Sequence, residues 1–198
     1  MRTRITDQGV KAQLAGVLRA GRVYRREDLL PFSKAVDRHL RELVADGLLT
    51  KLAQGLYYAP RNSNFGALPP ADGALIAAFL RDKDFLVFSP SAYNSAGLGT
   101  TQLYHRTWVY NHKRHGIFKL GNREFDFRMK PRFPRKLTPE FLFVDALNHL
   151  GELAEDQAEV MARAKDRMSS FDRQRLQRAV AKYGTVATKK RLMAWLHA

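Results

Sequence analysis

The stretch that decides the fold is Ser33-Lys34-Ala35-Val36-Asp37-Arg38-His39-Leu40-Arg41-Glu42-Leu43-Val44-Ala45-Asp46-Gly47-Leu48-Leu49-Thr50-Lys51-Leu52-Ala53-Gln54-Gly55-Leu56-Tyr57-Tyr58. Val36, Leu40, Leu43 and Val44 recur at helical spacing and form one apolar stripe. Ser33 is placed to cap the helix, since its hydroxyl can accept a free N–H of the first turn. Gly47 suits the left-handed residue that closes a helix. At ~100° per residue, Lys34, Arg38 and Arg41 fall opposite the stripe and share an exposed face. Leu48 to Leu52, then Ala53-Gln54-Gly55, then Leu56-Tyr57-Tyr58 reads as strand, tight turn and strand.

Upstream, Val10, Leu14, Val17 and Leu18 mark a helix over about 7–20, ended by Gly21. Val23-Tyr24 reads as extended, and Arg25 to Leu30 as a short second helix stopped by Pro31. Three helices and a hairpin within the first 60 residues follow the order of a winged helix-turn-helix, whose third helix enters the DNA major groove. The expected readers are Lys34, Arg38 and Arg41, with Ser33 at the helix start. Lys51 and Gln54 on the wing, with Arg25 and Arg26 on the second helix, are expected to hold phosphates. Glu27, Asp28, Asp37 and Glu42 work against this, because acids near a groove-binding face repel phosphate.

The remainder, 61–198, reads as a mixed domain. Arg61 to Pro70 is rich in Pro, Gly, Asn and Ser and reads as a linker or long loop. A helix follows over Pro70 to Leu80, then an apolar strand at Phe85 to Phe88, then a helix opened by Ser89-Pro90. Three strands are expected at about 106–112, 116–120 and 123–130. Their turns are Asn111 to Gly116 and Gly121-Asn122, and the whole makes a small antiparallel sheet over about 85–130. Thr138-Pro139-Glu140 is a strong helix start. Helices at about 153–168, 170–183 and 185–197 complete a helical tail over 138–197. The fold class expected is α+β, an N-terminal winged helix-turn-helix (1–60) followed by this mixed domain.

The chain has 198 residues, 34 Lys+Arg against 19 Asp+Glu, a formal charge of +15 and no cysteine. The absence of cysteine excludes disulfide scaffolds, Cys-ligated zinc fingers and thiol enzymes. The apolar fraction, 45%, is too high for a disordered basic tail. The charge excess points to a polyanion. Residues 1–60 carry a net +5, residues 61–105 zero, residues 106–136 +8 and residues 137–198 +2. In 106–136, with the flanking Tyr104, aromatic and cationic residues interleave. That pattern supports an alternative reading as an RNA- or tRNA-binding module over 104–136, with Arg106, Lys113, Arg114 and Lys119 as contacts.

Other chemistries lack hardware. His105, His112 and His115 lie close together, but Lys113-Arg114 between the last two disfavours a divalent ion, so no metal and no cofactor is expected. No paired carboxylates or activated nucleophile accompany them, so no catalytic residue is assigned and an enzyme such as a nuclease is the weakest reading. The charged N-terminus lacks a signal-peptide core and no stretch suits a bilayer span. A soluble cytoplasmic protein with no membrane partner is expected.

Two motifs carry a family resemblance. They are Gly55-Leu56-Tyr57-Tyr58-Ala59-Pro60, closing the wing, and Ala92-Tyr93-Asn94-Ser95-Ala96-Gly97-Leu98-Gly99-Thr100-Thr101-Gln102, about 30 residues on. Together with the helical tail they resemble the AbiEi family of antitoxins, from abortive-infection, type IV toxin–antitoxin systems. Ala96 stands where that family commonly has leucine, and Gly99 where it often has serine or threonine. The resemblance implies a winged helix that binds double-stranded DNA repeats in its own promoter and represses the operon. It also implies a C-terminal part that neutralises a nucleotidyltransferase-type toxin without a stable complex.

Overall fold

The computed structural model describes residues 7–64, 66–98, 106–153 and 155–197. The chain is α+β and divides into two units: 1–83 with 118–124, and 84–117 with 125–198.

The first unit begins with α1 (Asp7–Gly16), β1 (Val23–Arg25), the short α2 (Arg26–Leu29), a 3₁₀ turn (Leu30–Phe32) and α3 (Val36–Ala45). β2 (Thr50–Ala53) and β3 (Leu56–Tyr58) follow. The sheet order is β1-β3-β2, antiparallel throughout, so β3 is central and all three of its residues are buried. Gly55 closes the β2–β3 turn at φ 67°, a conformation that costs glycine nothing. Val36, Leu40 and Leu43 of α3 are buried with Leu14, Tyr24, Leu29, Leu49 and Tyr57 in one cluster. Each such apolar side chain contributes about 1.5–3 kcal/mol relative to exposure.

Several expectations for this region are corrected. Arg61 to Pro70 is not a loop: β4 (Arg61–Ser63) and β5 (Gly66–Leu68) form an antiparallel hairpin. Its strands are almost wholly exposed, so no burial alternation marks them, and the Tyr58 hydroxyl donates to the Leu68 carbonyl at 2.8 Å. Nor does the first unit stop at 60. It runs on through α4 (Asp72–Leu80), whose last carbonyls, Ala78 O and Phe79 O, accept from the Arg25 guanidinium at 2.7 and 3.2 Å. The segment 118–124 also belongs here. Gly121 N–H donates to Leu52 O at 2.7 Å, Arg123 pairs with Asp72, and the Phe79 and Phe118 rings meet at 5.1 Å. Helix α1 ends at Gly16, not near 20.

The second unit contains β6 (Phe85–Phe88), a 3₁₀ turn (Pro90–Ala96) where an α-helix was expected, β7 (Thr107–Asn111) and the strands β8 (Gly116–Leu120) and β9 (Arg123–Met129). The tip between the last two is the 118–124 segment of the first unit. The strand order is β6-β7-β9-β8. β6 and β7 are antiparallel, but β7 and β9 are parallel, from Thr107↔Phe125 to Asn111↔Met129. The sheet is therefore mixed, and Asn111 to Gly116 does not join neighbouring strands as expected. Asn111, buried at the end of β7, sets that exit. Its amide donates to Val109 O and Arg114 O, and its Oδ1 accepts from the N–H groups of Lys113 and Arg114.

Four helices complete the unit: α5 (Pro139–Asn148), α6 (Gln157–Arg167), α7 (Arg173–Tyr183) and α8 (Val186–His197). Thr138 caps α5 as the sequence suggests, its hydroxyl accepting Phe141 N–H at 3.2 Å. Leu192 and Leu196 of α8 point into the core with Leu176 and Val180 of α7. Among the described residues no helix is long and apolar enough to cross a membrane.

A polar chain runs through this core. The hydroxyls of Tyr93 and Tyr110 both donate to Asp145 Oδ2 at 2.8 Å. Asp145 is 3% exposed. His149 Nδ1 donates to the Asp145 carbonyl at 2.8 Å, which leaves its Nε2 to accept from Lys130 Nζ at 3.0 Å. Burial, reinforced by the Lys130 charge, pushes the His149 imidazole below its usual range. A histidine depressed in the folded state binds a proton more readily when unfolded. Stability from this site is therefore full above about pH 6.5 and falls as the pH drops below it. A His149→Gln protein is expected to lose part of the decline in urea midpoint between pH 7 and 5. An unchanged profile would show that the decline arises elsewhere.

Candidate nucleic-acid interface

Arg38 and Arg41 are exposed on the outer face of α3, and Lys34 is exposed on the turn before it. Lys51 and Gln54 are exposed on β2 and at the β2–β3 turn. All but Lys34, which was expected on the helix itself, lie on the elements expected to carry them. Two others do not. Ser33 is 5% exposed, and the helix starts later, with Ala35 at its cap. The Ser33 hydroxyl accepts Ala35 N–H at 3.0 Å and meets His39 Nδ1 at 2.8 Å, so it organises the turn and is not placed to touch a ligand. Arg25 lies on β1, not on the second helix, and its guanidinium is used on the C-terminal carbonyls of α4, where a cation suits the helix dipole.

Several cations of this face are held by acceptors on neighbouring elements. Arg26 Nε and Nη2 engage both oxygens of Asp37 at 2.6 Å, a bidentate pair that holds the Asp37 carboxyl below its usual range. Arg38 donates to Asp7 and lies 3.9 Å from Glu42. Arg41 Nε donates to the Asp37 carbonyl at 3.3 Å. Lys11 of α1 bridges Asp46 at 2.7 Å and Glu42 at 3.4 Å. The face is thus a lattice of alternating charge, and its cations are pre-positioned. His39, 1% exposed, reaches Asp7 through Nε2 at 3.1 Å. Ser33, His39 and Asp7 are the residue types of a hydrolase triad, but the serine is buried, so this is a brace between α1 and α3.

Among the described residues of 104–136, the aromatic rings are packed in the core or against other rings. Trp108 and Tyr110 are 4% and 1% exposed. Phe133 stacks on His112 at 4.7 Å and Phe118 packs on Phe79. Tyr104 and His105 lie outside the described residues, as do Gly99 to Gln102 of the second family motif. Arg106, Lys113, Arg114 and Lys119 are exposed, the first three in the second unit and Lys119 in the first.

Sequence reasoning missed a cationic surface without carboxylates. Residues 173–198 hold seven cations and no carboxylate, whereas 137–172 hold three and eight, so a window of 137–198 averaged two opposite segments to +2. Arg173, Arg175, Arg178, Lys182 and Lys190 are exposed on α7 and α8, and Lys189 and Arg191 are half-buried. None of the seven pairs with a carboxylate among the described residues. Asn148 of α5 fixes the α7–α8 junction, its amide donating to Tyr183 O and its Oδ1 accepting Thr185 N–H, each at 2.9 Å. A finer window would have found this surface from sequence.

Among the described residues no three histidine or carboxylate side chains gather as a metal site. Asp145 and His149 are closed off in the core of the second unit, so their pairing is structural.

The fold is similar to the crystal structure of the RV2827C protein from Mycobacterium tuberculosis. The TM-score is 0.58 at 18% identity, covering 95% of this chain and 75% of that one. That likeness shows the fold alone. No protein-family model matches the chain, and no curated protein matches it.

Proposed function

We propose that the chain is a DNA-binding transcriptional regulator whose first unit is a winged helix. The observation that carries this reading is the pairing of α3, with Arg38 and Arg41 on its exposed side and Lys34 on the turn before it, and the β2–β3 hairpin, with Lys51 on β2 and Gln54 at the turn, on a chain of charge +15. Helix α3 would read base edges in the major groove while the hairpin holds neighbouring backbone. The cations of α7 and α8 would add sequence-independent phosphate contact. The resemblance of the two sequence motifs to AbiEi-type antitoxins extends the proposal. The regulated promoter is its own, and the protein counters a nucleotidyltransferase-type toxin without a stable complex.

The test is binding to a duplex from the region upstream of its reading frame, compared with a random duplex of equal length. Arg38→Ala with Arg41→Ala is expected to cut the preference for the upstream duplex by about a hundredfold, since each guanidinium–base contact is worth ~1–3 kcal/mol. The thermal melt should hold, because both side chains are exposed. Retained preference would remove α3 from the interface. The RNA reading has lost its main support, since Trp108 and Tyr110 are core rings. It would return if tRNA outcompeted the upstream duplex at raised salt.

A further inference from the structure

We infer that Asp7 is a positioning residue that sets the selectivity of α3, by orienting Arg38 for a base and denying it to nonspecific phosphate. The inference rests on the DNA-binding reading above and goes beyond it, because it assigns a role to a carboxylate, the group expected to oppose binding.

Asp7 opens α1, and its Oδ1 accepts from two donors of α3, the Arg38 Nη2 and the His39 Nε2. The two are unequal. His39 is 1% exposed and is itself fixed through Nδ1 to Ser33 Oγ at 2.8 Å. The carboxylate is therefore held from behind by a buried ring, a contact that does not depend on Arg38. The Arg38 side chain is half exposed, and beyond Asp7 its guanidinium makes no other hydrogen bond among the described residues, Glu42 lying 3.9 Å away. Its guanidinium carries five N–H donors in one plane. With one Nη2 hydrogen on Asp7, the Nη1 donors and the second Nη2 hydrogen remain. One Nη1 hydrogen and the second Nη2 hydrogen form a pair that a guanine O6/N7 edge accepts together.

The two classes of ligand group respond differently to this arrangement. A bidentate base contact needs the guanidinium plane fixed, and a pinned carboxylate fixes it before DNA arrives. A phosphate contact tolerates many orientations and gains little from a fixed plane. It also meets the negative charge of Asp7, which His39 prevents from swinging away. The same carboxylate thus strengthens one kind of complex and weakens the other.

The experiment measures the affinity of the full chain for the upstream duplex and for a random duplex of equal length over a series of salt concentrations. It compares wild type, Asp7→Asn, Asp7→Glu and Glu159→Gln. The last removes one negative charge from an exposed position of the second unit. Asp7→Asn is expected to bind the random duplex about fivefold more tightly, with its salt slope steeper by about one counterion. It is expected to bind the upstream duplex about fivefold more weakly. Asp7→Glu should retain most of the selectivity, and Glu159→Gln should shift both affinities in the same direction. Parallel shifts in Asp7→Asn would mean the carboxylate acts only through net charge and would overturn the inference. A general loss of binding with a lowered melting temperature would mean that Asp7 is merely structural, and would overturn it too. If wild type shows no preference between the duplexes, the DNA-reading proposal itself falls.

Discussion

Replacing Asp145 with alanine is expected to destabilise the protein by about 3–5 kcal/mol, the usual cost of removing one partner from a buried charged network. Two tyrosine hydroxyls, both enclosed by the core, donate to the same carboxylate oxygen, and alanine leaves both without an acceptor. Each orphaned buried donor costs roughly 1–3 kcal/mol, and a small cavity adds to that. The tyrosines cannot compensate by ionising, since burial, the largest cause of their raised phenol pKa, persists without the carboxylate. Asp145→Asn keeps one acceptor oxygen in place and should cost less than half as much. Urea denaturation with matched slopes checks both variants. Equal losses for the two would mean that packing around α5, not the hydroxyl bonds, sets the cost.

The second large effect concerns DNA. Neutralising Arg175, Arg178, Lys182 and Lys190 together by glutamine is expected to weaken binding to any duplex on the order of 10³-fold at low salt. It should flatten the salt dependence by about three to four counterions. These four are exposed, and no carboxylate pairs with them among the described residues, so each meets phosphate without first giving up an ion pair. That sets them apart from Arg26 and Arg38, which must exchange one anion for another. The loss should be the same for upstream and random sequences, because a phosphate contact carries no base information. An unaltered salt slope would detach α7 and α8 from the interface.

How far the sequence could be read depended on whether burial left a period. Val36, Leu40 and Leu43 sit on one buried stripe, and α3 is where that spacing places it, though it starts at Val36 and not at Ser33. Thr138-Pro139 marked α5 because capping is a local event. The β4–β5 hairpin left no trace, since its residues are exposed on both faces and only backbone pairing makes it a sheet. The parallel contact of β7 with β9 was hidden for another reason. Periodicity reports which face of a strand is buried, not which strand lies beside it. At the candidate interface the exposed cations were legible, but their partners were not. That Asp7, 31 residues before Arg38, holds it could not be read from spacing. The surface of α7 and α8 was legible in principle and was lost by averaging.

The segment 118–124 has a genealogical consequence. A seven-residue piece of the first unit is encoded inside the second, between its residues 117 and 125. No single crossover in the gene can hand the first unit to another protein whole. A fragment ending at Lys83 would leave behind the backbone donor that Leu52 accepts from, the ion-pair partner of Asp72 and the ring that packs on Phe79. The two halves are therefore bound to be inherited together, and a protease that cuts once between them frees neither one complete.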